Sequence, residues 1–407
     1  MMEDHTPNPA PTLSVVIPAY NEQDGIAEII ARVLAVRPAL KEHGVADLEL
    51  IIVDDGSSDR TSEIVNSCAG AKLVRHPVNK GYGAALKTGF QAGKGELLGF
   101  LDADGTYPPE YFPILCKYAL DGAELVVGSR RSGASSEMPI VRRIGNSIWS
   151  NLVTLISGSR VIDPASGMRV FQSHILERLY PLPDGLNLTP VMSTRAVHEG
   201  VKLVEIPIPY TERLGHSKLN VVTDGMLFLE TILWTALYYN PVRILGAIGV
   251  ALLVMSLLIA AVLIGMRISG TTVLGPLGVA STYLAVVLAI AGVNLFALGV
   301  TFNYLVSLFH KRPVRQGLFG RPVFKTPLER HFWWLGLLAI LCGALLGVAS
   351  FYLAVGDWPI ERLWLYLLAG TMLVLIGLQL VIFWIIMRVL DELNRREILV
   401  QNDINAR

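Results

Sequence analysis

Four runs without a single charged residue occupy the second part of the chain, at 244–266, 282–309, 332–356 and 363–387, and they limit what this sequence can become. The shortest has 23 residues. At a helical rise of about 1.5 Å per residue, roughly 20 residues cross the hydrocarbon core of a bilayer. Buried helices of a soluble protein are the alternative, but four such runs in close succession favour transmembrane helices. Composition agrees: 52% of the 407 residues are apolar and 17% charged, too apolar for a purely soluble protein.

Charge divides the chain at the same place. Residues 1–240 carry 21 Lys and Arg against 27 Asp and Glu, a net of −6, and residues 241–407 carry 13 against 7, a net of +6. Between the second and third runs lies HKRPVRQGLFGRPVFKTPLERH, with six Lys/Arg and one Glu, whereas RISGTTVLGPLGVAS and GDWPIER are poor in basic residues. The positive-inside rule then places the basic loop, both termini and the acidic N-terminal part in the cytoplasm. The N-terminus has no apolar core region, so no signal peptide is expected. Cys68, Cys116 and Cys342 are scattered, without metal-ligand spacing, which fits a reducing compartment.

The first 240 residues alternate two patterns. Apolar, β-branched stretches occur at 13–18, 48–53, 71–75, 97–102 and 124–129, and helical stretches such as 25–36 and 81–90 lie between them. Continuous apolar strands separated by helices predict a largely parallel sheet covered on both faces. Ligands bind beyond the carboxyl ends of such strands. Four polar clusters fall there: PAYNE, DDGSSD, DADG and GSRR. One crevice is expected to collect them.

In VDDGSSD (53–59), Gly56 is free to take positive φ and Ser57 or Asp59 can cap the following helix, while Asp55 is the candidate to accept hydrogen bonds from a base or ribose. A plain strand–turn–helix connection is the alternative. In DADG (102–105), Asp102 and Asp104 sit two residues apart at a strand end, so both can approach one point. A hard divalent cation, Mg²⁺ or Mn²⁺, would offset their repulsion and bridge to phosphates. A solvated acidic turn is the bland reading. A diphosphate needs further positive charge, for which Arg130, Arg142, Arg143, Arg213 and Lys218 are available; Arg143 reads better as a residue meeting lipid headgroups. There is no Walker P-loop, HExxH or GxSxG; GYGAAL (81–86) only imitates a dinucleotide fingerprint, and the eight dispersed His residues read as structural or surface. The reading has no place for nucleic acid.

Taken in order, VVIPAYNE (15–22), VDDGSSDRT (53–61), NKGYGAALKTGF (79–90), DADGTYPPE (102–110), VGSRR (127–131), DPASGMRVF (163–171) and GHSKL (215–219) resemble the family 2 glycosyltransferases of the GT-A fold, in particular the polyprenyl-phosphate glycosyltransferases. The resemblance covers about residues 12–240. It implies an α/β, Rossmann-like GT-A catalytic domain with interfacial amphipathic helices, followed by an all-α domain of four transmembrane helices. The expected boundaries are a flexible N-terminus at 1–12, the GT-A domain at 13–223, an interfacial helix at 224–243, the transmembrane domain at 244–390 and a cytoplasmic tail at 391–407.

Carried over by motif, Pro18, Tyr20, Glu22 and Asp55 would line the nucleoside site. Asp102, the Ala103 backbone and Asp104 would hold the metal and donor diphosphate. Arg130, Arg142, Asn146, Arg213 and Lys218 would face the diphosphate and the acceptor phosphate, with Asp163 and Ser166 shaping the acceptor side. Asp104, Arg213 and Lys218 would be the catalytic set. The implied partners are a nucleotide-diphosphate sugar, a polyprenyl or dolichyl phosphate and the bilayer, and a homo-oligomer is compatible with the family. One departure stands out: dolichol-phosphate mannose synthases usually follow the acidic motif with Leu-Gln, where this chain has Gly105 and Thr106. Other readings are a transferase acting on a different lipid, a processive polysaccharide synthase (for which a QxxRW motif is missing), and a membrane scaffold with a degenerate nucleotide-sugar domain.

Overall fold

The chain is described by a computed structural model over residues 10–131, 140–157, 160–211, 221–271, 274–310, 328–356 and 360–403. It divides into two units, Met1–Thr235 and Ala236–Arg407.

In the first unit, β1 (Thr12–Ala19), β2 (Asp47–Asp54), β3 (Ala71–Arg75), β4 (Leu97–Phe100), β5 (Leu125–Ser129), β6 (Arg169–Gln172) and β7 (Leu203–Pro207) form one sheet in the order β3-β2-β1-β4-β6-β5-β7. The helices α1 (Ile26–Ala35), α2 (Arg37–Glu42), α3 (Thr61–Ser67), α4 (Tyr82–Ala92), α5 (Phe112–Leu120), α6 (Ile140–Ser157), α7 (Leu176–Leu179) and α8 (Leu188–His198) follow or cover it. Side chains on a strand alternate between faces. Val15 and Ile17 therefore join Leu50, Ile52, Val126 and Val170 in one core with α1 and α5. Val16 joins Ile51, Val53, Leu98, Phe100 and Phe171 in a second core with α4 and α8. Both faces are dry, which is why the strands read as unbroken apolar runs.

The pairs β1–β2, β1–β4, β2–β3 and β5–β7 are parallel, as the sequence pattern predicts. β6 is the exception. It runs antiparallel between β4 and β5, so the sheet is mixed. Because β6 is reversed against both neighbours, β4 and β5 point the same way. The carboxyl ends of β1, β2, β3, β4, β5 and β7 and the start of β6 all meet one edge. Between β1 and β4 the order reverses direction, and an open α/β sheet parts its connecting loops at such a point to make a crevice.

Helix α9 (Val221–Tyr239) ends at Asn240, and Pro241 opens α10 (Pro241–Ile268), with α11 (Pro276–His310), α12 (Phe332–Val355) and α13 (Ile360–Asp403) after it. Proline suits a first helical position because its missing N–H has no partner there in any case. Four segments, Pro241–Ile268, Pro276–Phe309, Phe332–Val355 and Tyr366–Leu393, are long and apolar enough to cross a membrane, one for each expected run. Their outward side chains, Leu257, Phe351 and Val355 among them, are exposed apolar groups that water would not favour.

The helices pair as two antiparallel hairpins that meet through glycines. Gly249 faces Gly292 across α10 and α11, while Gly336 faces Gly377 and Gly343 faces Gly370 across α12 and α13. A β-carbon on Gly343 would stand 2.5 Å from the Gly370 carbonyl oxygen, so only hydrogen fits. Small residues let backbones approach closely where lipid offers no hydrophobic drive. Val242, Val300, Phe332 and Met387 then join all four helices in one cluster.

Candidate active site

The first two loops at the crevice edge are stitched together. Asn21 adopts a left-handed φ of 51° and donates its N–H to Ser57 Oγ at 2.9 Å, while its side-chain oxygen accepts the Ser58 N–H at 2.9 Å. The Glu22 amide donates to Thr61 Oγ1 at 2.9 Å. These bonds hold Tyr20 and Glu22, at the end of β1, beside the turn that carries Asp55. Pro18 is buried in β1 opposite Val53, beyond the last β4 partner of that strand, so its missing N–H removes no bond on that side. Gly56 takes the expected positive φ, 76°.

Asp55 is 3% exposed and already well served. Its Oδ1 accepts the Lys80 N–H at 2.9 Å and lies 2.7 Å from His76 Nδ1, and its Oδ2 accepts the Gly81 N–H at 2.8 Å. His76 reaches Thr88 Oγ1 through Nε2 at 3.0 Å. The carboxylate thus clamps the loop that leads into α4. Sequence reading placed Asp55 in this crevice and missed His76, whose dispersed setting gave no signal.

Asp102 and Asp104 leave β4 on either side of the buried Ala103. The Tyr82 hydroxyl donates to Asp102 Oδ1 at 2.7 Å. Burial, then the adjacent Asp102 charge, pushes the Tyr82 phenol well above its ordinary pKa, so it remains a donor. The Thr106 hydroxyl and amide donate to Asp104 Oδ1 at 2.6 and 3.2 Å. Thr106 thus spends its hydroxyl proton orienting Asp104. Among the described residues no group of three His, Cys, Asp or Glu side chains gathers to hold a metal. Two hard carboxylates with substrate phosphates as further ligands is nevertheless a donor set that suits Mg²⁺ or Mn²⁺.

Beyond β5 and before β6 the residues read as phosphate ligands meet one another. Arg130 forks onto Asp163, Nε to Oδ2 at 2.8 Å and Nη2 to Oδ1 at 2.6 Å, with its backbone N–H on Oδ2 at 3.0 Å. Asn146 donates to Asp163 Oδ1 at 2.8 Å, and Ser166 donates to the Gly128 carbonyl at 2.5 Å. Burial opposes ionisation of Asp163, but the Arg130 guanidinium outweighs it and holds the carboxyl below its usual value. Tyr107 and Tyr210 place their rings 5.8 and 5.6 Å from the Arg130 guanidinium.

Beneath lies Arg169, fully buried, donating to the carbonyls of Pro164 and Ser166 and pushed by desolvation down to about 10. Glu205 of β7 accepts the amides of Ile162 and Asp163. Sequence reading found Arg130, Asn146, Asp163 and Ser166 and overlooked Tyr82, Tyr107, Arg169, Glu205 and Tyr210. Tyr82 stood in a motif set aside as an imperfect fingerprint, and Arg169 stood inside a quoted one. Arg213 and Lys218 lie outside the described residues, as does the side chain of Arg142.

Residues 14–179 match the glycosyl transferase family 2, and residues 241–401 match a domain of unknown function. An undecaprenyl-phosphate 4-deoxy-4-formamido-L-arabinose transferase of Pectobacterium carotovorum is 30% identical over 303 residues, which cover 73% of this chain and 89% of that one. The chain belongs to the family 2 glycosyltransferases. A dolichyl-phosphate hexose transferase of Haloferax volcanii is 29% identical over 220 residues, 54% of this glycosyltransferase and 92% of its relative. Among solved structures, glucosyl-3-phosphoglycerate synthase of Mycobacterium tuberculosis is 22% identical, with a TM-score of 0.46 over 56% of this chain and 80% of that one. With four helices long and apolar enough to span a bilayer and membrane-lipid transferases as relatives, this glycosyltransferase is a membrane protein.

Proposed function

We propose that this glycosyltransferase moves a hexose from a nucleotide-diphosphate sugar, of the GDP-mannose or UDP-glucose type, to a polyprenyl or dolichyl phosphate at the cytoplasmic face of a membrane. The observation that carries the reading is the Asp102–Asp104 pair, each carboxylate pinned by its own donor at the crevice edge, in a chain that also carries four membrane-length helices. A long-tailed phosphate acceptor explains why one chain holds both. The tail stays in the bilayer while the phosphate reaches a polar site. The relatives named for undecaprenyl-phosphate and dolichyl-phosphate transfer support that acceptor class.

The acceptor phosphate is anionic near neutral pH and needs little help from a general base. Its oxygen attacks the anomeric carbon, a new C–O bond forms, and the bond to the donor diphosphate breaks with its electron pair leaving on that diphosphate. One in-line displacement inverts the centre, so an α-linked donor yields a β-linked lipid product. Pro18, Tyr20, Glu22 and Asp55 form the nucleoside end. Arg142, Arg213 and Lys218 supply cations to the diphosphate and the acceptor. Arg130, Asn146, Asp163 and Ser166 shape the acceptor wall. Asp102 and Asp104 would hold Mg²⁺ or Mn²⁺, which neutralises charge on the departing diphosphate when bound.

Purified protein incubated with Mn²⁺ or Mg²⁺, polyprenyl phosphate and a panel of labelled GDP- and UDP-sugars should label the lipid from one donor class. No lipid label from any donor defeats the reading.

A further inference from the structure

Nothing in the proposed reaction uses Tyr82, yet it is the residue through which the two ends of the crevice are joined. It opens α4 directly after Gly81, whose φ of 102° is one that side-chain-bearing residues rarely adopt. That short segment is held by two partners, Asp55 and the Asp184 carbonyl. Asp55 accepts the amides of Lys80 and Gly81 at 2.9 and 2.8 Å. The Asp184 carbonyl accepts the Ala84 amide at 3.1 Å. A β-carbon on Gly81 would sit 2.6 Å from the same carbonyl, so only glycine fits there. From this anchored backbone the Tyr82 ring places its hydroxyl 2.7 Å from Asp102 Oδ1.

Asp102 is confined on its other side as well. Gly167, before β6, packs so close that a methyl group on its α-carbon would overlap the Asp102 carboxylate. Gly167 is itself held by its amide, which donates to the Tyr107 hydroxyl at 2.7 Å. The first aspartate of DADG is therefore gripped between a phenol and a glycine. Its neighbour two residues on is oriented by Thr106, four residues from Asp102 in the chain, whereas the grip on Asp102 comes from α4 and from the segment before β6.

We infer that Tyr82 is a positioning residue for Asp102: its hydroxyl fixes Oδ1 while Gly167 closes the side of the carboxylate on which both oxygens lie, Oδ2 nearest, so that the group faces a divalent cation in one orientation. The inference rests on the metal reading of the Asp102–Asp104 pair proposed above. An outer partner of this kind tunes a ligand without touching the ion, and its removal typically weakens metal binding roughly ten-fold to a hundred-fold. Phenylalanine keeps the ring that packs at the start of α4 and deletes only the donor.

The test is Mn²⁺ binding by the full-length protein in detergent, titrated by electron paramagnetic resonance with GDP or UDP present in turn. Nucleotide affinity in EDTA and the melting temperature are measured in parallel. Tyr82→Phe should weaken Mn²⁺ binding about ten-fold and leave metal-free nucleotide affinity and melting temperature as in the wild type. In an Asp102→Asn background the same change should have no further effect on Mn²⁺, because the partner it acts through is altered. Equal Mn²⁺ affinity in wild type and Tyr82→Phe overturns the inference and leaves the metal reading intact. A parallel loss of metal-free nucleotide affinity and melting temperature overturns it too, since Tyr82 would then serve the packing of α4. A wild type that binds no Mn²⁺ with either nucleotide brings down the metal reading and this inference with it.

Discussion

Buried charge decides what individual residues do at this crevice. Asp163 has no exposed surface, and its carboxylate is answered by the Arg130 fork and by Asn146. Removing one member of such a pair strands the other charge in a low-dielectric setting, at a cost of about 3–5 kcal/mol. Asp163→Asn should therefore lower the melting temperature, by on the order of 10 °C for a unit of this size. The pH dependence has a definite sign. A carboxyl held below its unfolded value of about 3.9 contributes fully above that value and loses its contribution as pH falls through the folded one. The gap between wild type and Asp163→Asn should be widest near neutrality and shrink below about pH 4, as thermal melts across pH would record. Thr106→Val makes a second case, since it keeps the shape and deletes the hydroxyl that donates to Asp104 at 2.6 Å. Transfer at limiting Mn²⁺ should fall about ten-fold and recover in part at high Mn²⁺; equal rates at both concentrations would leave Thr106 a packing residue. Asp102, Asp104 and Asp55 were legible because acids beside glycine at strand ends have few other uses. Arg169 was not, because a charged side chain with no exposure runs against every rule that reads a core from apolar residues.

At the scale of elements, legibility followed length and periodicity. The five strands expected from apolar runs all form, and the helices expected at 25–36 and 81–90 appear as α1 and α4. β6 escaped because it is four residues long and begins with Arg169, and β7 because Glu205 interrupts its apolar run and Pro207 ends it. Missing β6 hid the one reversal that makes the sheet mixed. The membrane helices were legible from length alone, but their pairing was not, since it depends on glycines whose partners lie in another helix. Gly343 and Gly347 make this testable within α12. A β-carbon on Gly343 would meet the Gly370 carbonyl at 2.5 Å, and one on Gly347 would meet nothing within 4 Å. Gly343→Ala should force α12 and α13 apart and lower the melting temperature in detergent micelles. Gly347→Ala should leave it unchanged or raise it slightly, because alanine is the better helix former by about 1 kcal/mol. Equal behaviour of the two variants would mean that the hairpin is not held by that contact.

For the whole molecule, the division of charge and the division of structure fall at nearly the same point. The structural units part between Thr235 and Ala236, and the change from an acidic to a basic chain was read at residue 240. An acidic crevice unit joined to a basic set of membrane-length helices has a natural orientation, because basic loops are retained on the cytoplasmic side. Nucleotide-activated sugars are made there, so donor access and loop topology are expected to coincide. Replacing Cys68, Cys116 and Cys342 by serine gives a background in which single cysteines can be placed at Gln316, in the basic loop, and at Thr272, after the first span. A membrane-impermeant maleimide should label the 316 position in inverted vesicles and the 272 position in right-side-out ones. Labelled donor sugar supplied from outside should reach lipid in the inverted preparation, where the basic loop faces outward. Donor-dependent lipid labelling in sealed right-side-out vesicles, with the 316 position protected, would put the crevice on the face opposite the basic loop and overturn the proposed cytoplasmic site.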